Sequence, residues 1–125
     1  MSKVLIVEDD PFLSSLLKTR LAKEGFETFR AADGEQALQM IKEQKPNLLL
    51  LDLILPKKSG FEVLEAVRAD AETKALPVII ISNLGQDDDI RRGKELGAID
   101  YIVKARISID DLIKKVQNAL GSQSQ

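Results

Sequence analysis

The sequence contains no cysteine and no histidine. The first absence excludes disulfides, thiolate metal sites and cysteine nucleophiles. The second removes His-based acid–base catalysis, Ser-His-Asp triads and histidine-ligated zinc. Long hydrophobic runs are also missing. No stretch approaches bilayer-spanning length, so membrane insertion is not expected. Met1-Ser2-Lys3 leads into a short apolar segment that stops at Glu8, so no secretory signal is expected either. Basic excess is lacking: 18 Lys and Arg stand against 20 Asp and Glu, a net charge of -2. That balance argues against a nucleic-acid surface. No Gly-rich phosphate loop follows the first apolar segment, which weighs against nucleotide or flavin binding. What remains is a cytoplasmic domain whose chemistry must use Asp, Glu, Lys, Ser, Thr and the backbone. Its 125 residues, 44% hydrophobic, suit one domain with a substantial core.

Along the chain, short aliphatic segments alternate with amphipathic ones. Val4-Leu5-Ile6-Val7 reads as a strand ending at Glu8-Asp9-Asp10. Asp10 before Pro11 suits a helix N-cap with proline in the first turn. Leu13, Leu16, Leu17 and Leu21 follow at helical spacing, and Gly25 closes that helix. Phe26 to Ala31 is a second strand. Asp33-Gly34 is a turn signal before a helix carrying Ala37, Leu38 and Ile41. The third strand lies within Asn47–Pro56, where four leucines run into Asp52 and three more aliphatic residues. Ser59 and Glu62 have capping-box spacing before a helix with Phe61, Leu64 and Val67. Val78 to Ile81 is a fourth strand ending at Ser82-Asn83. Asp87 to Asp89 open a helix poor in apolar residues, in which Gly93 reads as an interruption. A fifth strand ends at Lys104. Ser108 and Asp111 again have capping-box spacing, and Ile109, Leu112, Ile113, Val116 and Leu120 mark the last helix. Five strands alternating with five helices predict an α/β fold with a parallel sheet covered on both faces.

In such sheets ligands bind beyond the carboxyl ends of the strands. The polar residues fall there: Glu8 and Asp9 after the first strand, Asp52 near the end of the third, Ser82 after the fourth and Lys104 after the fifth. Taken singly, each has an ordinary explanation as a cap, a turn former or a solvated chain end. Together they describe a site. Three carboxylates without His or Cys favour a hard cation with oxygen ligands, and room for water suits Mg²⁺. Lys104 offers a point charge to a carboxylate or phosphoryl oxygen, and Ser82 a hydroxyl donor. A carboxylate nucleophile in this company is suited to accepting a phosphoryl group as an acyl phosphate.

The chain resembles the receiver domain of bacterial two-component response regulators from about Lys3 to Leu120. The likeness is carried by Val7-Glu8-Asp9-Asp10, Asp52 with Pro56 and Gly60 behind it, Ser82, and Tyr101 followed by Lys104. It implies a flavodoxin-like, three-layer α/β/α sandwich with strand order 2-1-3-4-5; the domain is expected to fill residues 1–121, before a polar tail at 122–125. It implies Asp52 as the phospho-acceptor. Mg²⁺ would be held at Glu8, Asp9, Asp52 and the backbone carbonyl of Ile54, with Asp9 binding directly and Glu8 through water. Ser82 and Lys104 would bind phosphoryl oxygens, and Ser82 and Tyr101 would form the switch pair. The donor would be a sensor histidine kinase or a histidine phosphotransfer protein. The output would be an unidentified downstream protein bound at the face of the fourth helix, fifth strand and last helix. The chain would not be an enzyme beyond promoting its own phosphorylation and dephosphorylation.

Two positions depart from the family. Ala105 replaces the usual proline after the lysine, so a trans Lys104–Ala105 bond and a reshaped loop through Arg106 are expected. Asn83 stands where a smaller residue is common, and slower reaction with small phosphodonors is expected. A pseudo-receiver that only binds a partner is the first alternative. A haloacid-dehalogenase-type phosphatase is the second, and it is disfavoured by Ile54 at the place of that family's second Asp.

Overall fold

The central strands are aliphatic on both faces, and that double apolarity is what places them between two helix layers. The computed structural model describes residues 1–121; the expected tail at 122–125 lies outside the described residues. In chain order the elements are β1 (Lys3–Val7), α1 (Pro11–Lys23), β2 (Glu27–Ala31), α2 (Gly34–Gln44), β3 (Leu48–Leu51), α3 (Gly60–Ala69), β4 (Val78–Ser82), α4 (Asp87–Glu95), β5 (Asp100–Val103), a single 3₁₀ turn (Lys104–Arg106) and α5 (Ile109–Gly121). All strand pairs are parallel and the order is β2-β1-β3-β4-β5, the expected arrangement.

Alternate strand residues feed two cores. Val4, Ile6, Leu48, Leu50, Ile79 and Ile81 pack with α1 and α5. Leu5, Val7, Leu49, Leu51, Val78 and Ile80 pack with α2 and α3. Each fully buried Leu or Ile contributes roughly 1.5–3 kcal/mol, so the sheet end that carries the acids is a rigid mount.

Local signals explain the element ends. Asp10 caps α1 by accepting from the Phe12 and Leu13 amides, with Pro11 behind it. Gly25, at φ 92°, takes the left-handed turn after α1 that a side chain would resist. Ser59 and Glu62 form both bonds of a capping box on α3.

Four expectations need correction. β3 is only Leu48–Leu51: Asp52 stands just beyond it, Leu53 turns inward and Ile54 is exposed. The apolar run continues because Leu53 fills the core under α3, not because the strand does. Leu16 is exposed rather than part of the buried stripe of α1. Gly93 does not interrupt α4; it is the buried residue where that helix meets the sheet. A Cβ there would lie 2.7 Å from Ile80 Cδ1 and 3.0 Å from the Tyr101 ring. The fifth strand ends at Val103, and Lys104 opens the 3₁₀ turn.

Candidate functional site

The acids gather where β1 and β3 end side by side. The Asp52 amide donates to the Val7 carbonyl at 3.0 Å, which ties the residue after β3 to the end of β1. The Glu8 amide donates to Ala31 at 3.1 Å and extends the ladder one step past β1. Glu8 is fully buried and Asp52 almost so, whereas Asp9 is exposed. One carboxylate oxygen from each of Glu8, Asp9 and Asp52 can be chosen so that all three lie within 4.8 Å of one another. Asp10 is not in this group, since its carboxylate caps α1.

Lys104 closes the pocket from the far side of β4. Its Nζ donates to Asp52 Oδ2 at 2.9 Å and lies 2.6 Å from Glu8 Oε1. The second contact is a short ion pair, so one ammonium serves both buried carboxylates. Asp52 Oδ1 accepts from the Ile54 amide at 3.3 Å, and Glu8 Oε2 from the Asp10 amide at 3.1 Å. Burial pushes the Glu8 carboxyl above its usual range, against the pull of Lys104 and the Asp10 amide, and the Asp52 charge adds to the rise. For Lys104, burial acts to weaken the ammonium, but the two carboxylates outweigh it and hold its pKa above the ordinary value. Three carboxylates face one ammonium. Such an all-oxygen, net-negative pocket fits a hard divalent cation.

Ser82 and Tyr101 meet at one residue of the β4–α4 loop. The Leu84 amide donates to Ser82 Oγ at 3.2 Å, and the Tyr101 hydroxyl donates to the Leu84 carbonyl. Ser82 is fully buried and Tyr101 half-buried. Burial, followed by the charges of Asp89 and Asp52, pushes the Tyr101 phenol up to about 12. The Ile54 peptide lies against Asp52 through its amide, and its side chain is 57% exposed. Asn83 and Ala105 are both exposed, the first directly after β4 and the second within the 3₁₀ turn. No described peptide bond is cis, so Lys104–Ala105 is trans and the chain there winds into that turn.

One contributor, Arg30, was not legible in the sequence, and one, Gly60, was legible only as a place behind Asp52. Arg30 on β2 donates from Nε and Nη2 to the Glu8 carbonyl, at 3.3 and 3.2 Å, and from Nη2 to the Asp9 carbonyl at 3.3 Å. An arginine on an edge strand carries no sequence signal of such a role. Gly60 sits so close to the Asp52 peptide that a Cβ would lie 2.2 Å from its carbonyl oxygen. The capping box beside it was legible; the close approach was not.

A family model described as the response regulator receiver domain matches residues 4–117. The chain belongs to that family. Proteins similar to it include the transcriptional regulatory protein CpxR of Escherichia coli, 46% identical over 83% of this chain and 43% of CpxR. Protein PilH of Pseudomonas aeruginosa is 33% identical over 97% of this chain and 99% of its own length. The Mn²⁺-bound form of response regulator Rcp1 superposes with a TM-score of 0.81 at 32% identity, covering 96% of this receiver and 92% of that chain. This receiver spans less than half the length of the transcriptional regulators it matches, such as CpxR. Among the described residues, no helix is long and apolar enough to cross a membrane.

Proposed function

We propose that the chain is a phospho-acceptor: Asp52 takes a phosphoryl group from the phosphohistidine of a sensor histidine kinase or a histidine phosphotransfer protein. The observation that carries this reading is the Asp52 carboxylate, buried beyond β3, with Lys104 on Oδ2 and the Ile54 amide on Oδ1. An Asp52 oxygen attacks phosphorus, the new P–O bond forms as the P–N bond breaks, and the electron pair stays on the donor imidazole. The chain supplies no histidine, so the phosphohistidine belongs to a partner. Glu8, Asp9, Asp52 and the Ile54 carbonyl would hold Mg²⁺, which when bound neutralises charge on the transferring phosphoryl oxygens. Lys104 would shift part of its attention from Asp52 to a phosphoryl oxygen. Ser82 already accepts from Leu84, and its own proton remains available to donate.

Exposed Phe12, Leu16 and Ile54 would meet an apolar surface of the donor. Signal output would pass through Leu84, held by Ser82 on one side and Tyr101 on the other, to α4, β5 and α5. A groove of about 610 Å³ lies between these elements, lined by Ile90, Tyr101, Val103, Ile107 and Lys114 among others. A downstream protein would bind there. The chain acts as an acceptor without substrate turnover beyond its own phosphorylation and dephosphorylation.

Incubation with Mg²⁺ and acetyl phosphate tests the reading by intact mass. One base-labile phosphoryl mass is expected on the wild type and none on Asp52→Asn. No gain on either would identify a pseudo-receiver, and repeated turnover of phosphodonor without a retained phosphoryl would identify a phosphatase. Asn83→Ala is expected to react faster than wild type under the same conditions.

A further inference from the structure

Arg30 sits on the edge strand, level with Ile6 of β1. β2 leaves the sheet after Ala31, so the ladder beside β1 ends with the Glu8 amide on the Ala31 carbonyl. The Glu8 carbonyl would then face an open edge. The Arg30 guanidinium takes it with two donors and reaches the Asp9 carbonyl with one of them. A single planar group thus fixes the two successive peptides that carry the acids. Glu8 has further restraints in its burial, Lys104 and the Asp10 amide. Asp9 is different. It is exposed. The position of its Cα, and with it the origin of its side chain, follows the backbone that Arg30 holds.

We infer that Arg30 is a positioning residue for the cation site: by clamping the Glu8 and Asp9 carbonyls from β2, it aims the Asp9 carboxylate into the acid pocket and raises affinity for a divalent ion. The inference rests on the ion site proposed above. Charge alone predicts the reverse. A guanidinium near an acid pocket repels a divalent cation, so deleting it would tighten binding. Aiming Asp9 predicts weaker binding on deletion. The two roles therefore differ in sign.

The test titrates Mn²⁺ into the whole chain without phosphodonor and reads free Mn²⁺ by electron paramagnetic resonance. Arg30→Ala should weaken binding about tenfold, at the low end for groups that orient a metal ligand. Arg30→Gln, which keeps a planar donor but no charge, should fall between Ala and wild type. In an Asp9→Asn background, Arg30→Ala should change affinity by less than about twofold, because the ligand it aims is gone. A purely structural loss would persist in that background. Unchanged or tighter binding by Arg30→Ala, or the same loss with and without Asp9, overturns the inference. A wild type that takes up no Mn²⁺ would instead refute the ion site itself, which keeps the two failures apart.

Discussion

Lys104 is the residue on which the site's electrostatics turn. Its ammonium is shared by two carboxylates that are both almost completely buried. Removing it leaves those carboxylates without a cation in a region that water scarcely reaches, and breaking a buried pair in this way costs about 3 kcal/mol. Urea unfolding of Lys104→Ala in the absence of divalent ions should show that loss. Added Mg²⁺ should recover part of it, because an ion among Glu8, Asp9 and Asp52 replaces the missing positive charge. Full stability of Lys104→Ala without any divalent ion would mean that the two acids are not jointly ionised. Tyr101 makes a second prediction at this scale. It is the single tyrosine, and tryptophan is absent, so phenolate absorbance reports it alone. Its folded pKa is raised from 10.0 to about 12, so the fold favours the neutral phenol that donates to Leu84. The associated stability is complete below pH 10.0 and is lost as pH rises through that window. An absorbance midpoint near the ordinary value in folded protein would show that the hydroxyl is not held as described.

Whole elements were legible wherever a local pattern decides them. The Asp10 cap, the Ser59–Glu62 capping box and the aliphatic strands each depend on neighbours in sequence, and each forms. The end of β3 was not legible, because Leu53 to Leu55 look like more strand while the core under α3 claims Leu53. Arg30 was invisible for the same kind of reason: its partners lie 21 and 22 positions away. Gly60 shows how an element is seated by contact rather than by pattern. Its amide donates to Leu53 at 2.9 Å, and backbone fills the place a Cβ would need. Helix propensity alone would make Gly60→Ala favourable by roughly 0.5–1 kcal/mol. The backbone contact should reverse that sign, with a net loss above about 2 kcal/mol in chemical denaturation; a stabilised variant would show that α3 can move off Asp52 freely. α4 is the opposite case. Gln86 gives it no side-chain cap, only Gly93 is buried, and Arg92 ties it to α3 through exposed contacts to Glu65 and the Phe61 ring. Such surface ties contribute little. A missing cap is worth about 1 kcal/mol, so α4 amides should exchange at least roughly fivefold faster than those of α1, which has Asp10 and three buried residues. Equal protection would remove the case for α4 as the element that yields.

At the scale of the molecule, the candidate ion pocket draws on the ends of β1 and β3, with Lys104 arriving from beyond β5. Residues 8, 52 and 104 come together only when β1, β3, β4 and β5 have paired in that order. The unfolded chain has no such pocket, so an ion bound there stabilises the entire fold by mass action rather than one loop. At Mg²⁺ concentrations about a hundredfold above Kd the gain should be about 2.7 kcal/mol. For a domain of this size that corresponds to a rise in Tm of roughly 10 °C. The rise should saturate with Mg²⁺ and should be largely lost in Asp9→Asn, which leaves the fold intact because Asp9 is exposed. Differential scanning calorimetry over a Mg²⁺ series measures both. A Tm shift that survives in Asp9→Asn would place the stabilising ion elsewhere on this acidic chain. A shift that grows without saturation would mark general screening of its 20 acidic residues instead of a bound ion.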